Sequence, residues 1–322
     1  MDVVYKRLNA DITPEALAQL AERKIILESA SQNKTKGRYS VVAFDIYGEV
    51  ILTEDELTIK TPEQTITETK QPYQRLKEYV QSYYAEIEED LLKDLPFISG
   101  FIGSCSFDLV RHEFPVLKKR QVADKPNQTD VHLYMIENVY VFDHYVISTN
   151  LFSNEPPEAI EKRVNQQIDA LQNVKLYQPD TSFVPSQKDI IPNIRDNQFI
   201  QNISKFKQLI TEGDMFQVVP SRIYRYKHEF GDKLHDLSYQ LYRKLKRQNP
   251  SPYMYYLNID EPIIVGSSPE SFVKVKGNEV VTNPIAGTIK RGQTPEEDEA
   301  NAQQLLSDEK ELSEHRMLVD LG

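Results

Sequence analysis

The sequence predicts an α+β protein in which helices pack against antiparallel sheets. Three observations carry that reading. Several segments repeat apolar residues at three- and four-residue steps. Short runs of β-branched and aromatic residues lie close together along the chain. Hairpin-like pairs of such runs outnumber any regular alternation of strand and helix. In order, Thr13-Pro14-Glu15 opens a short helix, with proline where its missing N–H costs nothing, and Leu17, Leu20 and Ala21 give the apolar face. Strands are expected over 25–27, 38–47, 50–52 and 57–59. Tyr73, Leu76, Val80, Tyr83 and Ile87 mark one stripe of a helix, and Ile160, Val164, Ile168 and Leu171 mark another. Between them, 131–137 and 139–148 read as paired strands. Periodicity lapses over 172–195, where Pro179, Pro185 and Pro192 punctuate a polar stretch. That segment reads as a linker between domains at 1–171 and 196–322. Beyond it, Phe199, Ile203, Phe206 and Ile210 give a helix closed by Gly213; Leu234, Leu237, Leu241 and Leu245 give another, stopped at Asn249-Pro250. Further strands are expected at 216–226, 253–259 and 263–265, with a hairpin turning at Lys276-Gly277-Asn278.

Composition narrows the function. The 322 residues hold 38 Lys and Arg against 49 Asp and Glu, a net charge of −11. So acidic a chain lacks the basic footprint that phosphate binding needs, and no nucleic-acid partner is expected. No run approaches the ~18 consecutive apolar residues of a membrane span, so no membrane association is expected either. The start, Met1-Asp2-Val3-Val4-Tyr5-Lys6-Arg7, shows no secretory pattern. Cys105 is the only cysteine, which excludes an internal disulfide and a cysteine-based zinc site and fits a cytoplasmic location.

Several constellations fail on chemical grounds. The segment 287–294 has the glycine spacing of a phosphate-binding loop, but Gln293 stands where the lysine belongs and acidic residues follow. Thr294-Pro295-Glu296-Glu297 reads instead as a helix N-terminus with a capping box. The histidines at 112, 132, 144, 228, 235 and 315 show no metal-binding spacing. Cys105 has no legible base beside it and reads as a buried, inert thiol.

Three constellations survive. On a helix from about Asp308, Leu312, Met317, Leu318, Val319 and Leu321 cover most of the circumference, which predicts a buried helix. Glu314 falls between Leu318 and Leu321 on that wheel. A carboxylate in apolar surroundings protonates or finds a cation: Mg²⁺, which oxygen ligands suit, or a basic side chain from elsewhere. Asn283-Pro284-Ile285-Ala286-Gly287-Thr288 is either a turn leaving a sheet or a ligand site, where Gly287 permits close approach and Thr288 adds a hydroxyl. Asn249-Pro250-Ser251-Pro252-Tyr253 has rigid backbone with few internal hydrogen bonds, and it also reads as a plain helix-to-strand connector.

Together these segments resemble anthranilate synthase component I. The resemblance rests on Leu27-Glu28-Ser29-Ala30, Gly37-Arg38-Tyr39-Ser40, Phe107-Asp108-Leu109-Val110-Arg111, Gly213-Asp214-Met215-Phe216-Gln217, Asn249-Pro250-Ser251-Pro252-Tyr253-Met254, Gly266-Ser267-Ser268-Pro269-Glu270, Pro284-Ile285-Ala286-Gly287-Thr288, and 308–321. It implies that family's α+β sandwich and a lyase reaction, in which chorismate and ammonia become anthranilate and pyruvate in L-tryptophan biosynthesis. It further implies that Gly287 and Thr288 bind chorismate and that Glu314 ligates Mg²⁺. Glu28, Ser29, Asn249, Pro250, Ser251 and Pro252 match a feedback pocket for L-tryptophan. Ammonia would come from glutamine through a separate amidotransferase subunit, because Cys105 is not in a nucleophile context. The complete lack of tryptophan fits an enzyme made when that amino acid is scarce.

Ala286 separates the chain from aminodeoxychorismate synthases, many of which carry a nucleophilic lysine there. Leu27-Glu28-Ser29 separates it from isochorismate and salicylate synthases. The family's chain continues past Gly322 with further substrate-binding residues and a second metal-binding glutamate. The resemblance therefore implies an incomplete chorismate-binding domain, inactive alone and prone to aggregate through its apolar 312–321 face. The alternatives are a non-catalytic tryptophan- or amidotransferase-binding fragment, and the aminodeoxychorismate synthase sister enzyme.

Overall fold

The computed structural model describes residues 1–9, 12–30, 39–83, 87, 90–118, 129–143, 145–175, 177–182 and 190–322. The fold is α+β, and strand pairing among the described residues is antiparallel throughout. The chain forms two compact units, 1–177 with 238–322, and 178–237. The first cut falls within 172–195, where periodicity lapses, and the second, after Leu237, has no counterpart in the sequence reading. Strand pairing, which periodicity does not register, carries 253–268 back onto the N-terminal sheet.

The first unit is built on a ten-stranded sheet. Its strands are β1 (Val3–Arg7), β2 (Lys24–Glu28), β3 (Ser40–Leu52), β4 (Leu57–Lys60), β5 (Thr65–Glu68), β6 (Gly100–Cys105), β7 (Val131–Val141), β8 (Tyr145–Thr149), β11 (Tyr253–Asn258) and β12 (Ile264–Ser268). The main order is β1-β8-β7-β3-β2-β11-β12, with the β4–β5 hairpin on β3 and β6 beside β7. Around it lie α1 (Pro14–Leu17), α2 (Pro72–Ser82), α3 (Asp90–Lys93), α4 (Val110–Glu113), α5 (Pro115–Lys118) and α6 (Pro157–Leu171). Adjacent residues feed different cores. Ile25, Val41, Val139, Ile147 and Leu257 pack on one face, and Ile26, Val42, Tyr140, Val146 and Tyr256 on the other. Both faces are covered, so the strands read as unbroken apolar runs, not as alternation.

The second unit contains α7 (Asp196–Glu212), ended by Gly213 at φ 86°, and the short pair β9 (Ile191–Pro192) with β10 (Tyr224–Arg225). Arg222 pairs with Asp196 and lies 4.9 Å from the Phe199 ring centroid. The helix α8 (Leu234–Gln248) leads into β11. The C-terminal elements are the hairpin β13 (Lys274–Lys276) and β14 (Glu279–Val281), then α9 (Pro295–Ser307) and α10 (Glu309–Leu321). Among the described residues no helix is long and apolar enough to cross a membrane.

Several expectations need correcting. The runs at 38–47 and 50–52 belong to one strand, β3, whose register slips between Ala43 and Gly48. The break expected at Asn138 falls at Phe142-Asp143 instead. Polar Glu137 and Asn138 imitate a turn, but both are buried and bonded. Glu137 accepts from Ser153 at 3.0 Å and Arg163 at 3.1 Å, and Asn138 Nδ2 donates to Asp45 at 3.0 Å. Helix α2 ends at Ser82, and Ile87 packs with a different core from Tyr73, Val80 and Tyr83. The strand expected at 216–226 shrinks to Tyr224–Arg225, because Phe216 and Val219 are exposed and have no face to bury. The helix expected to be buried, α10, has no buried residue; Val319 and Leu321 are exposed. Cys105, expected to be buried, is exposed at the end of β6. Gly37, Arg38, His144 and Pro185 lie outside the described residues.

Candidate functional site

The register of one strand pair assembles the first site. Glu28, the last residue of β2, stands opposite Met254 of β11. The chain before β11 must then run beside the chain after β2, and the Ala30 amide donates to the Ser251 carbonyl at 3.0 Å. Sequence reading grouped Glu28 and Ser29 with Asn249, Pro250, Ser251 and Pro252 by resemblance alone. The strand register is the physical reason they meet. The two prolines after α8 keep 249–252 out of both helix and sheet. Ser267 Oγ replaces the missing internal partners, lying 2.8 Å from both the Asn249 carbonyl and the Ser251 hydroxyl.

Beside this junction opens a cavity of about 340 Å³, at the small end of the range for ligand pockets. Of the six grouped residues, Glu28 and Pro250 line it; Ser29, Asn249, Ser251 and Pro252 do not. Its apolar wall comes from Pro14, Ile26, Ala30, Tyr239 and Tyr242, and its charged wall from Glu15, Glu28, Arg243, Lys246 and Arg247. Glu28 is bonded twice from α8, by Lys246 Nζ at 2.9 Å and by the Tyr242 hydroxyl. Burial first, and then the neighbouring Glu28 charge, push the Tyr242 phenol far above its usual range, so it stays a donor. Ser29 Oγ is buried and has no hydrogen-bond partner among the described residues. A buried hydroxyl left so costs about 1–3 kcal/mol. Sequence reasoning missed Tyr242 and Lys246, although their i, i+4 spacing on α8 puts both on one face.

The second expected site is less assembled. Gly287 lies against Glu311 of α10: a Cβ there would sit 2.1 Å from Glu311 Oε2. Thr288 is exposed, and the Ile285 amide donates to Glu270 Oε1 at 2.8 Å. Glu314 is half-buried on a helix without buried residues, so the apolar enclosure expected for it does not form. No group of three His, Cys, Asp or Glu ligands gathers around Glu314 among the described residues. One carboxylate is far from the six oxygens that Mg²⁺ takes, so the residues present do not by themselves fit that ion.

Among the described residues, such a group does form elsewhere, from Glu49, His132 and Asp260, which no sequence spacing signals. His132 Nε2 lies 2.7 Å from Glu49 Oε2. Cations already serve it, Lys60 on Glu49 at 3.0 Å and Arg23 on Asp260 at 3.2 Å. Burial pushes the Glu49 carboxyl up, but hydrogen bonds from Lys60 and His132 outweigh it and hold the group below its ordinary value. Lys60, Glu49 and His132 thus join β4, β3 and β7, while Arg23 answers Asp260 just past β11.

Comparison with known proteins agrees with this fold. The chorismate binding enzyme family matches residues 22–322. Anthranilate synthase component 1 of Lactococcus lactis subsp. lactis (strain IL1403) is 34% identical over 98% of the chain, which covers 68% of that protein. The component 1 of Aquifex aeolicus (strain VF5) is 33% identical over 95% of the chain, which spans 62% of it. The crystal structure of anthranilate synthase component I from Streptococcus pneumoniae TIGR4 superposes with a TM-score of 0.70 at 31% identity, covering 89% of this chain and 60% of that one. The chain thus spans about two thirds of the length of these relatives, and it belongs to the chorismate binding enzyme family, on its anthranilate synthase component 1 branch.

Proposed function

We propose that this chain serves as the chorismate-using component of an anthranilate synthase and carries a feedback site for L-tryptophan. Chorismate and ammonia would become anthranilate and pyruvate, with ammonia delivered from glutamine by an amidotransferase subunit in the cytoplasm. Family membership supports the reaction class. The observation that carries the feedback site is the cavity at Glu28, with its aromatic wall and its paired charges. An aromatic amino acid matches that chemistry: an apolar body, an ammonium for a carboxylate, and a carboxylate for the basic residues. Gly287 and Thr288 are read as chorismate contacts, and Glu314 as one ligand of a Mg²⁺ whose remaining ligands the described residues do not supply. Calorimetry of the chain with L-tryptophan tests the feedback site. Anthranilate fluorescence after incubation with chorismate, ammonium and Mg²⁺ tests the reaction, and accumulation of aminodeoxychorismate instead would move the assignment to the sister enzyme.

A second reading, tryptophan binding without catalysis, is favoured by one contrast. The described residues enclose the Glu28 cavity but leave Thr288 exposed and α10 without a buried residue. Tryptophan binding with no anthranilate formed would select it.

A further inference from the structure

The tryptophan reading leaves one ion pair unexplained. The Glu28 side chain is 5% exposed, and a carboxylate so enclosed needs its charge answered. Both oxygens are already answered from α8, Oε1 by Lys246 Nζ at 2.9 Å and Oε2 by the Tyr242 hydroxyl. All three residues line one cavity. A ligand that brings an ammonium group to Glu28 therefore meets an ammonium that the protein supplies itself.

Lys246 has a second acceptor within reach. Its Nζ lies 3.6 Å from Glu15 Oε1 in the first turn of α1, and Glu15 also lines the cavity. The lysine side chain is 28% exposed and sits on a long flexible stem, whereas Tyr242 is enclosed in the core. Two carboxylates thus flank one movable ammonium. The neighbouring Arg243 guanidinium is engaged elsewhere, 4.7 Å from the Tyr177 ring centroid.

We infer that Lys246 holds the subsite an incoming ammonium group takes on Glu28, and that Glu15 receives the lysine when that group enters. The inference rests on the reading of this cavity as an amino-acid site. It makes the exchange one ammonium for another, so Glu28 is never left as a bare buried charge. It also makes Glu15 a positioning residue, which sets affinity through Lys246 without touching the ligand. The class selected is a primary ammonium attached to an aromatic or apolar body.

Wild type, Glu15→Gln and Lys246→Ala are compared by calorimetry with L-tryptophan and by thermal denaturation in ethylammonium chloride, with sodium chloride as the ionic-strength control. Glu15→Gln should weaken tryptophan binding about two- to fivefold, the scale of one partly exposed ion pair. Lys246→Ala should melt at lower temperature and regain part of the loss in ethylammonium, which should leave wild type unmoved. Unchanged tryptophan affinity in Glu15→Gln, or an equal response of wild type and Lys246→Ala to ethylammonium, overturns the exchange even if wild type binds tryptophan. No tryptophan binding by wild type sinks the amino-acid reading, and the ethylammonium comparison still decides whether Lys246 fills an ammonium subsite. If Lys246→Ala does not fold, Lys246→Met keeps the apolar stem and serves in its place.

Discussion

The Tyr242 hydroxyl donates to the Glu28 carboxylate, joining residues 214 positions apart at the wall of the cavity. Tyr242→Phe keeps the ring in its cluster with Tyr239 and Tyr256 and removes only the donor. A hydrogen bond to a charged group is worth about 1.5–3 kcal/mol, and urea denaturation should show a loss of that size. A change within error would mean that Lys246 alone satisfies Glu28.

Ser29→Ala should separate stability from binding. Its hydroxyl has no partner among the described residues, so removing it should leave urea stability unchanged or slightly higher. If the same hydroxyl bonds tryptophan, affinity should fall by about 1 kcal/mol, roughly fivefold. Parallel loss of stability and binding, or unaltered binding, would remove Ser29 from the site.

Glu49 should give a defined acid dependence. Its folded pKa lies below the ordinary carboxylate value of 4.5. A group depressed in this way contributes its stability in full above the unfolded value, and loses it as pH falls through the folded one. Glu49→Gln should therefore cost most at neutral pH, and the gap to wild type should close in acid. Urea midpoints at pH 7, 4.5 and 3 measure it; a gap that widens on acidification would reverse the sign.

Two glycines should respond differently to alanine. At Gly103 on β6 a Cβ would lie 2.0 Å from the His132 carbonyl oxygen, a backbone atom held by β7. Gly103→Ala should cost about 1–3 kcal/mol in urea denaturation. At Gly287 the obstacle is the far end of the flexible Glu311 side chain, so Gly287→Ala should cost less than about 1 kcal/mol. Equal losses would show that Glu311 is held as firmly as a strand.

Helices α2 and α6 were legible because each buries one stripe: Leu76 in α2, Ile160 and Val164 in α6. The Thr294 cap was legible too, since its hydroxyl accepts from the Glu297 amide at 3.2 Å, a purely local bond. Long-range satisfaction was not. Asn138 looked like a turn residue because its partners, Asp45 and Ser148, cannot be read from its neighbours. The same limit applied at the cavity. Glu28, Ser29 and Pro250 stood out by resemblance, whereas Lys246 and Tyr242 gain their meaning only from the register of β2 on β11. The apolar wheel of α10 gave the wrong burial, because periodicity says which face is apolar and not what lies against it.

That register also has a consequence for how the chain is made. β2 leaves the ribosome long before its partner on one side, β11. At translation rates of about 5–20 residues per second, one edge of β2 waits on the order of ten seconds or more for its partner. Throughout that wait its unpaired amides and carbonyls, flanked by Ile25, Ile26 and Leu27, form an open strand edge of the kind that recruits other chains. A nascent chain halted before residue 253 should therefore demand chaperone protection that one released after residue 258 does not.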